Sequence, residues 1–186
     1  MPVKVKFIDS SEGRHADNPC VYVANHRSAS DAFLMGVLFG EFVQIVNLWP
    51  FKIPILGLCA DLAGYLSIRS MSFDNFEKEC KKLFSQKVSI IGFPEGTRSG
   101  SSQMGQFHSA LFRVAKDNSL KIVPLCILGN GDKPERKSLK IYPGIVEIHK
   151  LAAIGFDEYK DLNYFELKNH IRGKMQTFID QHSELI

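Results

Sequence analysis

A histidine and an aspartate whose residue types could perform proton transfer stand in the segment NHRSASD, residues 25–31. His26 precedes Asp31 by five positions, and an apolar run follows directly. Five helical residues turn through about 500°, so the two side chains would not share one face of a helix. If His26 lies in a loop before the helix, that loop can fold back and bring the imidazole onto the carboxylate. The carboxylate would then hold the Nδ1 proton and leave Nε2 as a base.

The same segment also fits a purely structural interpretation. Ser28-x-x-Asp31 matches a capping box, in which a hydroxyl and a carboxylate satisfy the free N–H groups at the start of a helix. On this interpretation Asp31 stabilises a helix by a few tenths to about 1 kcal/mol, and His26 has no role in chemistry. The sequence by itself leaves both interpretations open.

No protein nucleophile accompanies this pair in the sequence. The chain has no Gly-x-Ser-x-Gly motif and no cysteine in a comparable setting. A base without a protein nucleophile suggests that the substrate supplies the nucleophile, most simply as an alcohol. Such a reaction needs an electrophile that is already activated, as a thioester is.

Two arginines and a glutamate follow other apolar runs of the chain. The segment FPEGTRS, residues 93–99, contains Glu95 and Arg98, and Arg69 ends the segment GYLSIR. A salt-bridged surface turn is the structural alternative for the Glu95–Arg98 pair. Guanidinium groups grip phosphate or carboxylate through paired, charge-assisted hydrogen bonds. Convergence of Arg69 and Arg98 near His26 therefore predicts a small anionic alcohol as the ligand.

The elements that must position these residues alternate between apolar runs and helical patterns. The predicted strands are VKVKFI, at a sheet edge, and CVYVAN, FVQIVN, GYLSIR, VSIIGF and KIVPLCILG. The predicted helices cover residues 30–40, a short stretch after Pro54, FDNFEKECKKLF with Ser72 as its cap, FHSALFRVAKD, and residues 161–183. The segment KSLKIYPGIVEIHK predicts a late hairpin or edge strands with a turn at Pro143-Gly144.

This alternation predicts an α/β fold with a mixed, largely parallel sheet flanked by helices. In such sheets functional residues usually lie where the carboxyl ends of strands meet the next element. The polar clusters NHRSASD, RSMS and PEGTRS all follow predicted strands. We therefore expect them at one edge of the sheet.

Length and composition narrow the class of protein. A chain of 186 residues fits one domain, so we expect residues 1–186 to form a single domain. A net charge of +3 without a basic block argues against nucleic acid as a partner. The four cysteines are far apart, which predicts small buried apolar residues and no metal site. No apolar run approaches the ~20 residues that span a bilayer, so we expect a cytoplasmic protein or one that lies on a membrane.

Four segments in order resemble the motifs of the glycerolipid acyltransferases, the family that contains 1-acyl-sn-glycerol-3-phosphate acyltransferase. They are NHRSASD, which resembles the His-x-x-x-x-Asp motif, and GYLSIRS, FPEGTRS and IVPLCI, and they span about residues 20–128. The resemblance implies a glycerol-3-phosphate acyltransferase-like fold. It also implies transfer of a fatty acyl group from acyl-CoA or acyl carrier protein to the hydroxyl of a lysophospholipid, most simply 1-acyl-glycerol-3-phosphate. The acyl donor is then a co-substrate, and no other cofactor is implied.

Carried onto this chain, the resemblance makes His26 the general base and Asp31 the residue that orients it. The acceptor's head group would be bound by five residues: Arg69, Glu95, Gly96, Thr97 and Arg98. Leu125, after Pro124, matches the fourth motif and is expected on the acyl-chain side. Asn47 and His108 stand where many members have lysines.

With fewer cations, the acceptor could be a different lysolipid, such as a lyso-ornithine lipid. The sequence also allows two functions without acyl transfer. One is a non-catalytic lipid-binding module of the same fold, and the other is a hydrolase that uses water with the same pair of residues.

One stretch of the sequence with few charges is a candidate for contact with a membrane. Residues 33–66 contain only Glu41, Lys52 and Asp61 as charges. Most of this stretch should be core, but the turns around LWPFKIP could instead face a bilayer. Many family members have membrane helices before the histidine motif, whereas His26 is preceded by only 25 residues here. We therefore expect no such anchor, and peripheral attachment at the inner face of a membrane.

Overall fold

A central sheet organises the computed structural model, which describes residues 3–11, 13, 19–38, 40–47, 54–99, 103–131, 133 and 140–182. The structural statements that follow concern these residues. Residues 48–53, which form most of the LWPFKIP segment, lie outside them. The expectation that this segment faces a bilayer therefore stays a prediction.

Six strands form the sheet within the described ranges. The strands are β1 (Val3–Ser10), β2 (Val21–Ala24), β3 (Phe42–Ile45), β4 (Ser89–Gly92), β5 (Ile122–Leu128) and β6 (Gly144–Leu151). They lie side by side in the order β1-β6-β5-β2-β4-β3. Four of the pairs between neighbours are parallel, and the β5–β6 pair is antiparallel, so β1 and β6 run opposite to the other strands. The predicted mixed, largely parallel sheet is confirmed.

The apolar runs in the sequence explain which strands are central. Every residue of β2, β4 and β5 is buried, as expected for strands covered by other elements on both faces. Strand β1 alternates lysines with apolar residues and is half-exposed, which suits its place at the edge. Its register on β6 begins with Val3 opposite Gly144.

Helices cover the sheet on both faces. They are α1 (Asp31–Leu34), which continues as a 3₁₀ turn (Met35–Val37), α2 (Pro54–Leu62), α3 (Phe73–Ser85), α4 (Ala110–Asp117), α5 (Phe156–Tyr159) and α6 (Tyr164–Gln181). Alternate residues of β2 belong to two different apolar clusters, because successive side chains of a strand point to opposite faces. One cluster includes Val21, Phe76 and Ile171, and the other includes Tyr22 and Met35.

The helix predicted over residues 30–40 is shorter than expected. One turn of α-helix, Asp31–Leu34, passes into the 3₁₀ turn, and the backbone becomes extended at Leu38. Gly36 lies inside this turn, and glycine is a poor helix former. The prediction of a helix over residues 30–40 was therefore wrong in length, although the observed helix begins at Asp31, one residue after the predicted start.

The strand predicted for GYLSIR is also wrong. Only Leu66 of this segment joins the described sheet, through an isolated bridge to Ile45. Directly afterwards Ser70 donates hydrogen bonds from its N–H and its hydroxyl to the Ser67 carbonyl, at 3.1 and 2.7 Å. This turn takes the chain out of the sheet, so Arg69 lies in a turn rather than at a strand end.

The late strand differs from the prediction in its position. Strand β6 begins at Gly144, the second residue of the predicted Pro143-Gly144 turn, and it lies between β1 and β5 rather than at an edge. In the proposed first half of a hairpin, residues 137–142, positions 137–139 are outside the described residues and positions 140–142 form no strand.

The closing helix is confirmed as α6, but its buried face differs from the one the sequence predicts. The buried residues are Leu167, Ile171, Met175 and Ile179, spaced by four. Phe165, predicted on the apolar face, is 64% exposed. It lies two positions before Leu167, which places it on the other side of the helix.

Candidate active site

The imidazole of His26 lies against the carboxylate of Asp31. Strand β2 ends at Ala24, and the loop that follows folds back before α1 begins at Asp31. His26 Nδ1 is 2.8 Å from Asp31 Oδ2. Asp31 is fully buried, whereas the His26 side chain is about one-fifth exposed. The contact expected from the spacing of the two residues is present.

The same carboxylate also closes the start of the helix. Asp31 Oδ2 accepts hydrogen bonds from the N–H groups of Arg27 at 2.7 Å and Ser28 at 2.9 Å. The Asp31 N–H donates to the Ser28 backbone carbonyl at 3.3 Å, and the Ser28 hydroxyl donates to the Lys133 carbonyl at 2.8 Å. The structural and chemical interpretations of Asp31 are therefore compatible, since one buried carboxylate serves both arrangements.

The carboxylate fixes which nitrogen of His26 carries a proton. A carboxylate accepts from Nδ1–H, so the neutral imidazole presents Nε2 as an acceptor. Nε2 has no hydrogen-bond partner among the described residues. The ring packs on Phe93, with 4.7 Å between ring centroids, which restrains its rotation. This arrangement is a base whose proton-accepting atom is available to a ligand.

Glu95 takes a different place from the one expected of a head-group ligand. It is 5% exposed, and it is absent from the residues that line the cavity described below. Its Oε1 accepts from the His26 N–H at 2.8 Å and its Oε2 from the Gly105 N–H at 2.8 Å. Burial raises the pKa of Glu95 above its usual value, while these two hydrogen bonds oppose the rise. The carboxylate thus holds the backbone of the proposed base.

A cavity of about 820 Å³ opens beside the His26 ring. Its described lining carries four basic side chains, those of His26, Arg69, Arg98 and His108, and no carboxylate. Neither Arg69 nor Arg98 forms an ion pair with any described residue. The rest of the lining is mainly apolar and includes Ile45, Ile68, Phe76 and Leu111. The cavity therefore suits a ligand with an anionic group and an apolar part.

Four of the five residues expected at the head group line this cavity. Arg69, Gly96, Thr97 and Arg98 belong to its wall. Gly96 has a φ of +68° and lies under the His108 ring, so a Cβ at this position would be only 3.0 Å from that ring. The left-handed backbone conformation favours glycine here, and a larger residue would also require the His108 ring to shift.

The expected positions of Asn47 and Leu125 have different outcomes. Asn47 lines the cavity, next to the end of β3. Leu125 is fully buried in β5, opposite Ala24, and is not part of the described cavity wall. The expected place of Leu125 on the acyl-chain side therefore stays a prediction.

Sequence reasoning missed a residue that contacts the dyad. Asn130, which follows β5, is fully buried and donates a hydrogen bond from Nδ2 to Asp31 Oδ1. Its position in the sequence could have indicated it. Like the other polar segments, Asn130 lies just beyond the carboxyl end of a parallel strand.

Asn25 is a second missed residue with a structural task. Its side chain accepts from the Ile127 N–H at 2.7 Å and donates to the Ile127 carbonyl at 3.0 Å. These two bonds fasten the loop before His26 to the neighbouring strand β5. The backbone of the proposed base is thus held from both sides, by Asn25 through its neighbour and by Glu95 directly.

The amino-acid sequence is similar to those of known acyltransferases. The chain is 34% identical to the 1-acyl-sn-glycerol-3-phosphate acyltransferase of Chlamydomonas reinhardtii over 149 residues, which is 78% of this chain and 45% of that protein. It is also 34% identical to the chloroplastic 1-acyl-sn-glycerol-3-phosphate acyltransferase LPAT1 of Arabidopsis thaliana over 119 residues, 62% of this chain and 33% of that one. The chain thus spans less than half the length of these relatives.

A solved structure shares the fold. The crystal structure of the 1-acyl-sn-glycerophosphate acyltransferase PlsC from Thermotoga maritima superposes with a TM-score of 0.78 at 20% sequence identity. The match covers 98% of this chain and 72% of that chain. The family model described as acyltransferase matches residues 4–128, which is more than half of the sequence and contains all four motifs. On this evidence, the chain belongs to the acyltransferase family.

Proposed function

We propose that this protein transfers a fatty acyl group from an acyl thioester to the hydroxyl of a lysophospholipid, most simply 1-acyl-glycerol-3-phosphate. One observation carries the proposal: the His26 imidazole, held by a buried carboxylate, faces a cavity whose two guanidinium groups pair with no described carboxylate. The similar proteins named above are acyltransferases on 1-acyl-glycerol-3-phosphate, which supports the same acceptor here.

The proposed reaction needs a base but no protein nucleophile. His26 Nε2 removes the proton from the acceptor hydroxyl as its oxygen attacks the thioester carbonyl carbon, and the imidazolium is stabilised by Asp31. The carbon–sulfur bond then breaks, and the thiolate of coenzyme A or of the carrier protein takes the proton from the imidazolium. The products are an ester and a free thiol, and the base returns to its neutral form.

The charges around the cavity favour a phosphate over a zwitterionic head group. Arg69 and Arg98 can bind a phosphate through paired, charge-assisted hydrogen bonds. A lyso-ornithine lipid presents an ammonium group as well, and the described cavity lining offers no carboxylate to receive it. The alternative of a non-catalytic module is disfavoured by the intact dyad, since a lipid-binding role alone gives no reason to orient an imidazole with a buried carboxylate.

We further propose that residues 1–186 act as one domain at the inner, cytoplasmic face of a membrane. The described helices include none with the length and apolar character needed to cross a bilayer. Exposed apolar side chains on α1 and α2 support attachment to the membrane surface. They are Phe33, Leu58 and Leu62, which are between 60% and 80% exposed.

Acyl transfer can be measured directly with a radiolabelled donor. Purified protein is given palmitoyl-CoA or palmitoyl carrier protein together with 1-acyl-glycerol-3-phosphate, lysophosphatidylcholine or lyso-ornithine lipid. We expect labelled diacyl product from 1-acyl-glycerol-3-phosphate, a loss of roughly 10²–10⁴ in turnover for His26→Ala, and a severe loss for Asp31→Asn.

The controls separate transfer from hydrolysis and from binding alone. Thiol release at the same rate with and without acceptor would identify a hydrolase instead of a transferase. Binding of lysolipid with no turnover of either donor would identify a binding module. Full activity of His26→Ala would exclude His26 as the base.

A further inference from the structure

The side chain of Asn130 reaches the oxygen of Asp31 that His26 does not use. Asp31 Oδ2 receives the His26 ring and the N–H groups of Arg27 and Ser28, whereas Oδ1 receives the Asn130 amide. Asn130 is fully buried and lies outside the described cavity wall, so substrate does not touch it. Any effect of this residue on chemistry must therefore pass through Asp31.

The amide is held in one orientation. With Nδ2 against the Asp31 carboxylate, the Asn130 Oδ1 is buried and has no hydrogen-bond partner among the described residues. Rotating the amide by 180° would place its oxygen against the negatively charged carboxylate. Among the described residues, the amide thus keeps a donor on Asp31 while its own oxygen has no partner.

We propose that Asn130 is a positioning residue that fixes the Asp31 carboxylate and limits its basicity, and so sets the pH range in which His26 acts as a base. This inference rests on the proposed acyltransferase function. The donor on Oδ1 draws charge away from Oδ2, where the imidazole is bound. Without it, the carboxylate would hold an imidazolium more tightly, and His26 would remain protonated, and inactive as a base, to a higher pH.

The other polar and charged groups around His26 and Asp31 would be unchanged by a substitution at position 130. Glu95 lies behind the His26 backbone, Arg27 follows His26 in the loop, and the Lys133 carbonyl receives two serine hydroxyls of the same loop. On the cavity side, the remaining basic groups are Arg69, Arg98 and His108. A change in the pH dependence that appears only when the Asn130 donor is lost can therefore be assigned to that donor.

Two substitutions remove the donor in different ways. Asn130→Ala shortens the side chain, and Asn130→Leu keeps its branched shape and number of heavy atoms while also removing the buried acceptor, so we expect at least one of the two variants to fold. The matched control is Ser89→Ala, which loses a buried hydrogen bond from the Cys20 N–H at the opposite end of the sheet. It should lower the melting temperature without changing the pH dependence.

The experiment measures kcat as a function of pH, and it also measures the KM for the acceptor. For both Asn130 variants we expect the acid limb of the profile to move to higher pH by roughly half a unit to one unit. We also expect kcat near the optimum to fall about three- to tenfold, and the acceptor KM to stay within about twofold of the wild-type value. An unmoved acid limb in the folded variants, or a rise in KM as large as the fall in kcat, would overturn the proposal.

A second measurement does not depend on turnover. The carbon-bound protons of the His26 ring are followed by NMR during a pH titration, in the wild-type protein and in the same variants. The midpoint for His26 should be higher in Asn130→Leu than in the wild-type protein and unchanged in Ser89→Ala. If the protein transfers no acyl group but this midpoint still moves, the proposed function fails while the role of Asn130 stands. Equal midpoints would refute that role.

Discussion

The Asp31 carboxylate closes the start of α1 and holds an imidazole with the same oxygen. Spacing predicts both contacts, because His26 and Ser28 are close to Asp31 in the sequence. It does not predict the Asn130 donor, 99 positions away, or the attachment of Glu95 to the His26 backbone, 69 positions away. Such contacts depend on which strand ends become neighbours, and that follows only from the strand order.

Glu95→Gln tests whether this residue positions the base or binds the acceptor. A glutamine has one acceptor oxygen, so either the His26 or the Gly105 N–H would lose its partner. An unsatisfied buried donor costs about 1–3 kcal/mol, enough to displace the loop. We expect kcat to fall by about tenfold or more in steady-state assays, with the acceptor KM nearly unchanged.

Arg98→Ala is the contrasting variant for that measurement. Loss of a charge-assisted bond worth about 1.5–3 kcal/mol should raise the acceptor KM by about tenfold or more and change kcat little. If Glu95→Gln instead raised KM as Arg98→Ala does, Glu95 would be a head-group ligand after all.

At the scale of elements, continuous apolar runs predict β2, β4 and β5, because strands buried on both faces need no alternation. The sheet edge that carries the site follows from the polar segments after β2 and β4. Hydrophobic patterns predict the wrong element where a local turn determines the course of the backbone. The segment GYLSIR has the composition of a strand, but the Ser67–Ser70 turn removes it from the sheet. Arg69 reaches the cavity from that turn.

Helix α3 offers a test of a sequence-predicted cap. The Ser72 hydroxyl accepts from the Asn75 N–H at 3.3 Å. Replacing Ser72 by alanine leaves that N–H without its side-chain partner, and we expect a loss of about 1 kcal/mol in the free energy of unfolding. Urea denaturation measures it.

The control for the cap is Ser85→Ala, at the other end of the same helix. Its exposed hydroxyl donates to the Lys82 carbonyl and caps no N–H group among the described residues. We expect a change within about 0.5 kcal/mol. Equal losses in the two variants would show that the Ser72 cap contributes nothing specific.

At the scale of the whole molecule, the cavity and the exposed apolar side chains belong to the same part of the chain. Ala29 and Ala32 line the cavity, and Phe33 of α1 is 71% exposed. Asn47 lines the cavity shortly before α2, in which Leu62 is 80% exposed. The proposed attachment through these side chains would therefore bring a bilayer next to chain segments that line the cavity.

The variant Phe33→Ser/Leu62→Ser tests this attachment. Burial of a large apolar side chain contributes about 1.5–3 kcal/mol, so the pair should weaken binding to phosphatidylglycerol-containing vesicles by more than about tenfold in a sedimentation assay. Transfer to a soluble short-chain acceptor should be unaffected. The matched control is Ile141→Ser, which removes an exposed apolar side chain ahead of β6. A comparable loss of binding in the control would refute a specific membrane-facing surface.

The pairing of β1 with β6 affects the order in which the molecule can be assembled. Lys6 and Glu147 form an ion pair across these strands, although 141 positions separate them. During synthesis, β1 leaves the ribosome before β6, so the two strands cannot pair until residues 144–151 have emerged. The pairing of β2 with β4 and β5, and the His26–Asp31 contact, join only residues up to Leu125, whereas the Asn130 donor to Asp31 lies beyond β5. Of the six described strands, the one that comes first in the chain can therefore join the sheet only once β6, the last of them in the chain, has been made.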